Sequence, residues 1–236
     1  MLKFTLPVVC AIFFSVVPFA SAAEFSVKRE DSGDIAVHID GKLFTRYVTS
    51  DKVTNKCYFW PIIGPGGVQM TRAFPMKDVE GEKQDHPHHR SVCFGLQNAG
   101  GFNTWHEHLT FTRTGKVDPK KAAATGRQKH VKVVKAEGYL NSATLIVECD
   151  NVTPDDEVYM RQTRNVKFHV AENGSRVMDV EITLIGVKDS IRVLGKKDSG
   201  LTVRVAHSMC VDAGPGGRIV NSKGNDVHGI STINGK

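Results

Sequence analysis

The sequence predicts an all-β protein, a large antiparallel β-sandwich. Three observations point that way. β-rich runs recur at roughly even spacing, turn signals built on Gly, Pro, Asn and Asp separate them, and no stretch carries convincing helical periodicity. The 236 residues suffice for one large domain, and a chain that is 40% hydrophobic and 24% charged is neither disordered nor collagen-like.

Phe25 to Arg29 is the first short strand. Ile35 to Ile39 and Leu43 to Val48 flank Asp40-Gly41, a two-residue hairpin signal. Cys57 to Ile63 is nearly continuous apolar sequence, which suits a strand buried on both faces, although Pro61 restricts its pairing. Gly64-Pro65-Gly66-Gly67 is a tight turn. Ser91 to Leu96 reads as a buried strand and Asn98 to Gly101 as a loop. Thr104 to Thr112 alternates, so it reads as a strand with His106 and His108 on one face and Glu107 on the other. After a surface loop, Val131 to Lys135, Ala143 to Cys149, Val158 to Val170 and Arg176 to Ile185 follow at even spacing. In Val158 to Val170, Tyr159, Arg161, Thr163, Asn165, Lys167 and His169 share one face, as expected of a sheet with one wet side. Leu201 to Ala206 and Arg218 to Val220 complete the strands. The end, Ile230 to Lys236, reads as another strand about to start with nothing to close it, so the chain is expected to be a fragment truncated at its C-terminus.

Residues 1–23 read as a signal peptide, and 24–236 as a single sandwich domain. Lys3 supplies the basic start, Leu6 to Phe19 the apolar stretch and Ala20-Ser21-Ala22 the small-residue cleavage pattern. The apolar run is short for a membrane span and Pro7 and Pro18 interrupt it. The mature protein is expected to be exported, periplasmic or extracellular, with no stable membrane insertion. Cys57, Cys93, Cys149 and Cys210 remain after cleavage; their spacings fit no disulfide framework, and buried free thiols are favoured over two bridges. The net charge is +6. Its densest basic run, Lys116 to Lys135, has no interleaved aromatics, so a nucleic-acid partner is not expected.

The functional centre is expected between Asp85 and Leu109, which holds five of the ten histidines: His86, His88, His89, His106 and His108. Imidazole exchanges protons and binds metals near neutral pH, and packing alone gives no reason to gather so many. These five are the candidate catalytic residues. Arg72 and Arg90 present planar forks suited to a carboxylate or to sugar hydroxyls, or else to internal ion pairs. Trp105 could stack on a sugar ring, whereas Trp60 reads as core. Arg204 and His207, with Lys197 and Asp198, flank a late strand and complete the candidate ligand face.

At this point CYFWPIIGPGGVQMTRAFPM, DHPHHRSVCFGL, WHEHL, KDSGLTVRVAHSM and GGRIVNSKG resemble the bacterial PmoA-like ("methane oxygenase PmoA") family, over roughly residues 40 to 236. That resemblance implies an exported, β-rich protein whose sandwich is similar to the galactose-mutarotase-like supersandwich, and a chain that continues past residue 236 in other members. Methane oxidation is not carried over, because no membrane-spanning helix follows the leader.

Three chemistries fit the residues. A carbohydrate-related site would use one imidazole to move a proton while a second, or Arg90, holds the oxygen. A divalent metal could be held by His86, His88, His106 and His108. A polar turn whose histidines cap backbone groups would make the protein a non-catalytic accessory sandwich. His106-Glu107-His108 is not the helical HExxH zinc motif, and no acid follows His88 at cupin spacing.

Overall fold

A computed structural model describes residues 22–49, 54–112, 119–187, 190–211, 217–220, 222 and 226–227. Residues 1–21, with Lys3 and Cys10, on which the signal-peptide expectation falls, and the run from Ile230 lie outside the described residues.

The chain is mostly antiparallel β, in two main sheets. The first has six strands in the order β1 (Phe25–Arg29), β2 (Ile35–Ile39), β3 (Lys42–Val48), β4 (Tyr58–Ile62), β5 (Val92–Gly95) and β10 (Gly200–Val203). The second is a four-stranded meander of β6 (Arg127–Gly138), β7 (Ser142–Val152), β8 (Val158–Val170) and β9 (Arg176–Gly186). A short ribbon pairs β11 (Ile219–Val220) with β12 (Asp226–Val227).

The two sheets face each other across one apolar layer. Phe25, Ile35, Val37, Phe44, Tyr47 and Phe59 come from the first sheet, and Leu145, Val147, Val166 and Phe168 from the second. Phe168 stands edge-on to Phe44 and Phe59, with ring centres 5.9 and 6.1 Å away. Such pairs add about 0.5–1.5 kcal/mol to simple area burial. Phe25 N–H donates to the Tyr139 carbonyl at 3.0 Å, stitching the first strand to the end of the second sheet.

Alternation in β8 is as expected for Arg161, Thr163, Asn165, Lys167 and His169, which reach water, while Val166 and Phe168 point inward. Tyr159 departs from that face: it is buried, with its ring 5.0 Å from Phe102. Pro61 sits inside a strand paired on both sides, and it falls where the β3–β4 register shifts between Thr45 and Tyr47. A residue without an N–H is tolerated at such an irregularity.

Two expectations are corrected. The chain does form helices, the short α1 (His108–Thr112) and α2 (Pro119–Ala123). And Thr104–Thr112 is not a strand. Asn103 Oδ1 accepts the backbone N–H groups of Trp105 and His106, both at 3.0 Å, which turns the chain out of extended conformation. Thr110 Oγ1 then accepts Glu107 N–H at 3.3 Å, and Thr110 N–H returns to the Glu107 carbonyl at 2.9 Å, starting α1. No described helix is long and apolar enough to cross a membrane.

Candidate functional site

The histidine segments meet above the end of β5. Val92–Gly95 leads out of the first segment, and the second lies against it. A Cβ on Gly95 would stand 2.7 Å from the Thr104 carbonyl oxygen, so only glycine permits this approach. His86 takes a left-handed backbone, φ 43°, and His89 N–H closes a turn on the His86 carbonyl at 3.0 Å. Pro87 and His88 are thereby turned inward.

Four of the five histidines converge. Ring centres lie 4.4 Å apart for His88–His89, 4.7 Å for His88–His106, 5.0 Å for His86–His89 and 5.8 Å for His86–His88. His86 and His89 are stacked at 14°. Trp105 is buried against this group, 5.4 Å from His89 and 6.2 Å from His88. His108 is exposed at the start of α1 and points elsewhere than the strand reading required.

Buried cations hold the platform from beneath. Lys56 is 3% exposed, and its ammonium donates to the carbonyls of His88, at 3.2 Å, and Trp105. One side chain thus ties the two histidine segments together. Arg90 lies inside, with Nε and Nη2 donating to Glu107 at 3.0 and 3.1 Å, and Thr54 Oγ1 adds a bond to the same carboxylate at 2.9 Å. Arg72, also buried, donates to the carbonyls of Phe74 and His86 and to Asp85 Oδ1. Of the two readings open for these arginines, the structure takes the internal one. Both build the platform rather than line an open face.

The hydrogen bonds fix which ring nitrogens are free. Asn103 Oδ1 is occupied by two N–H groups, so its Nδ2 must be the donor to His106 Nδ1, at 3.0 Å. A neutral His106 therefore carries its proton on Nε2. His86 is the converse. Its Nδ1 lies 2.9 Å from Asp85 Oδ2, so Nδ1 holds a proton, and in a neutral ring Nε2 is the nitrogen with the lone pair. Asp85 is ionised: burial favours its neutral form, but the His86 bond, Arg204 and Arg72 outweigh that and bring its pKa to about 2. His88 Nδ1 meets Thr110 Oγ1 at 3.0 Å.

Burial lowers the pKa of His88, His89 and His106, and repulsion from nearby cations, and from neighbouring rings when those are protonated, adds to it. For His89, where the value falls to about 3, the neighbours are His86, Arg204, Lys56 and Arg72. For His88 they are His89, Lys56, His106 and His86. For His106, Lys56 and Lys121 act against a partial offset by Asp198. All three are neutral near pH 7.

Beside His106 opens a cleft of about 640 Å³, lined by Gln97, Asn98, Asn103, Thr110, Phe111 and charged residues from α2 and from 196–198. Asp198 is in it. Arg204 reaches the opposite side of the platform, donating to Asp85 Oδ1 at 2.7 Å. His207 lies on the 3-10 turn His207–Met209 and takes no part in the ring contacts of the four converging histidines. Trp60 packs against Val48, Tyr58 and Cys93, as a core residue does. Sequence reasoning missed Lys56, Asp85, Asn103 and Thr110. Asn103, three residues before a histidine, had a readable turn signal; Lys56, set beside an apolar run, had none.

No three His, Cys, Asp or Glu side chains among the described residues form a group able to hold a metal ion. The donor chemistry points the same way at His106, whose Nδ1 accepts a bond and whose Nε2 carries the proton. Cys57, Cys93, Cys149 and Cys210 are free, the first three buried, as expected.

A family profile, DUF6807, a family of unknown function, matches residues 34–234. The chain belongs to the DUF6807 family. Comparison with curated proteins and with solved structures finds no match. The DUF6807 match spans every element of the platform and the cleft.

Proposed function

We propose that this DUF6807 protein is an exported carbohydrate-related protein whose histidine platform does acid–base work on a sugar. The observation that carries the reading is the opposite proton placement on two imidazoles of one contact cluster. His86, oriented by Asp85, offers a lone pair on Nε2 and acts as the base towards a sugar hydroxyl. His106, oriented by Asn103, offers an N–H and holds or protonates the oxygen where charge develops. His89, half-buried and kept neutral, forms the wall against which the ring rests, with buried His88 and Trp105 packed behind it. Complementary placement of acid and base is what a general acid–base site requires; a mere polar turn has no use for it.

The finer expectations belong with this reading: a PmoA-like relationship within DUF6807, a supersandwich of the galactose-mutarotase type, one domain over 24–236, and export after removal of a signal peptide. Fold-level analogy supports the sugar class only weakly, and the site itself carries more weight.

Calorimetric titration with a panel of mono- and oligosaccharides tests the proposal. Wild type should bind at least one. His106→Ala and His88→Ala should weaken that binding about tenfold or more, the size of one lost charge-assisted or well-placed hydrogen bond. No binding by any sugar, or binding indifferent to both substitutions, rejects it. A mononuclear metal enzyme is the second reading of the sequence, and no three-ligand group among the described residues supports it. Elemental analysis of the purified protein decides it: near-stoichiometric Zn, Cu, Fe or Mn would move the assignment there.

A further inference from the structure

Four cysteines lie among the described residues, and two of them meet. Cys57 stands just before β4 in the first sheet, and Cys149 lies inside β7 in the second. Both are fully buried in the apolar layer between the sheets. Their sulfurs are hydrogen-bond partners of each other. The Tyr47 hydroxyl lies 3.1 Å from Cys149 Sγ and also bonds Cys57. The other two thiols face elsewhere. Cys93 Sγ lies 3.9 Å from the His88 carbonyl oxygen, and Cys210 Sγ lies 3.6 Å from that of Ala206. Register sets Cys93 opposite Tyr58, and both pack with Val48 and Trp60 on the other face of the sheet from Cys57.

We propose that Cys57 and Cys149 are a disulfide site that cross-links the two sheets. Two sulfurs that already hydrogen-bond need to close by roughly 2 Å or less to reach bonding distance. The oxidant is a low-molecular-weight disulfide, and the reaction is thiol–disulfide exchange. Cys149 gives up its proton, and its sulfur attacks one sulfur of the oxidant. The oxidant's S–S bond breaks, one thiolate leaves, and a mixed disulfide forms on Cys149. Cys57 gives up its proton in turn, attacks the Cys149 sulfur and expels the second thiolate. The two departing thiolates take up the two protons. Two protein thiols are oxidised and one small disulfide is reduced to two thiols. Both sulfurs lie inside, so the exchange belongs to the stage at which the sheets come together. The bond costs Arg164 none of its hydrogen bonds, because its guanidinium donates to Gln162, Gln128 and the Cys57 carbonyl rather than to sulfur. It closes a loop of roughly 90 residues, which takes much freedom from the unfolded chain. Cys57 also follows Lys56, whose ammonium holds the carbonyls of His88 and Trp105. The cross-link therefore ties the footing of the histidine platform to β7, whatever ligand the platform takes.

The test is mass spectrometry of the whole chain made by cell-free synthesis, one arm in a mixture of oxidised and reduced glutathione and one in reductant alone. Thiols left free are alkylated in denaturant, and the chain is digested without reduction. The expected result in the glutathione arm is a pair of peptides joined through Cys57 and Cys149, with Cys93 and Cys210 alkylated. The joined pair should persist in Cys93→Ala/Cys210→Ala. By circular dichroism the linked chain should melt on the order of 5–15 °C above the reduced one. Cys57 and Cys149 both alkylated in the glutathione arm, or either one carried in any other disulfide, overturns the proposal. So does a linked chain that melts no higher than the reduced one, because a bond that suits the fold stabilises it.

Discussion

Arg90 and Arg164 are each 2% exposed, one under the histidine platform and one between the sheets, and they are neutralised in different ways. Arg90 is paired with a carboxylate, Glu107, drawn from a loop 17 residues later. Arg164 has no carboxylate among its described partners. Its guanidinium donates to Gln162 Oε1, the Cys57 carbonyl and Gln128 Oε1, at 3.0, 2.9 and 2.6 Å. Its charge is answered by thiols. Cys149 is held well below the ordinary thiol value, first by its hydrogen bond with Cys57 and further by His130 and Arg164. Cys57 is pushed the other way, by that same bond to Cys149 and by burial. Between the two sulfurs, Cys149 is thus the one more readily ionised. Tyr47 hydroxyl touches that sulfur at 3.1 Å. The difference shows what each region needs. A loop site needs an ion pair whose fork geometry fixes a backbone that has no sheet to fix it. Inside the sandwich the ladders already set the backbone, so soft amide, carbonyl and sulfur groups suffice.

The comparison can be broken in order of expected effect. Glu107→Ala removes the carboxylate that faces buried Arg90 and should lower stability by about 3–5 kcal/mol in urea denaturation. A loss under about 1 kcal/mol would mean that the platform does not depend on the pair. Lys56→Met removes two bonds to carbonyls and should lower stability by about 2 kcal/mol. It should also raise the pKa of His88 and His106, followed by NMR titration of the imidazoles, because Lys56 is among the charges that depress them. Cys149→Ala should lower stability by about 1–3 kcal/mol through the uncompensated guanidinium. A thiol depressed on folding contributes stability that is full above its unfolded pKa and fades as pH falls towards its folded one. Wild-type stability should therefore decline as pH falls from about 9, and the substitution should flatten that slope. The smallest effect per step is acid titration of the platform. His89 is depressed to about 3, so its contribution is full above pH 6.5 and lost as pH falls from 6.5 towards 3. It should amount to at most about 1.4 kcal/mol per pH unit. His89→Asn should remove that slope.

Regions with a sheet on both sides were legible, and the loop site was legible only in part. The alternation of Arg161 to His169 and of Val177 to Ile185 announced β8 and β9, because one face of each strand meets water and the other meets Phe168 or its neighbours. Asp40-Gly41 marked its hairpin by backbone chemistry alone. The density of imidazoles located the platform, while the near neighbours that orient two of the rings, Asp85 for His86 and Asn103 for His106, went unread. His108 could not be placed correctly. HEHLTFT alternates on paper, but Asn103 turns the chain and Arg90 draws Glu107 inward, both through contacts remote from the pattern. Lys56 was invisible for the same reason, since nothing near residue 56 tells that two distant carbonyls will close over it.

That lysine has a consequence for how any ligand is received. Its ammonium braces two loops from the protein side, so the rings above them keep their spacing in the empty state. The entropy of ordering those loops was lost when the chain folded and is not lost again when a guest arrives. In the proposed sugar-binding role the platform is a ready-made mould. Its selectivity lies in shape and charge already set, and guests that need the mould to reshape itself are turned away.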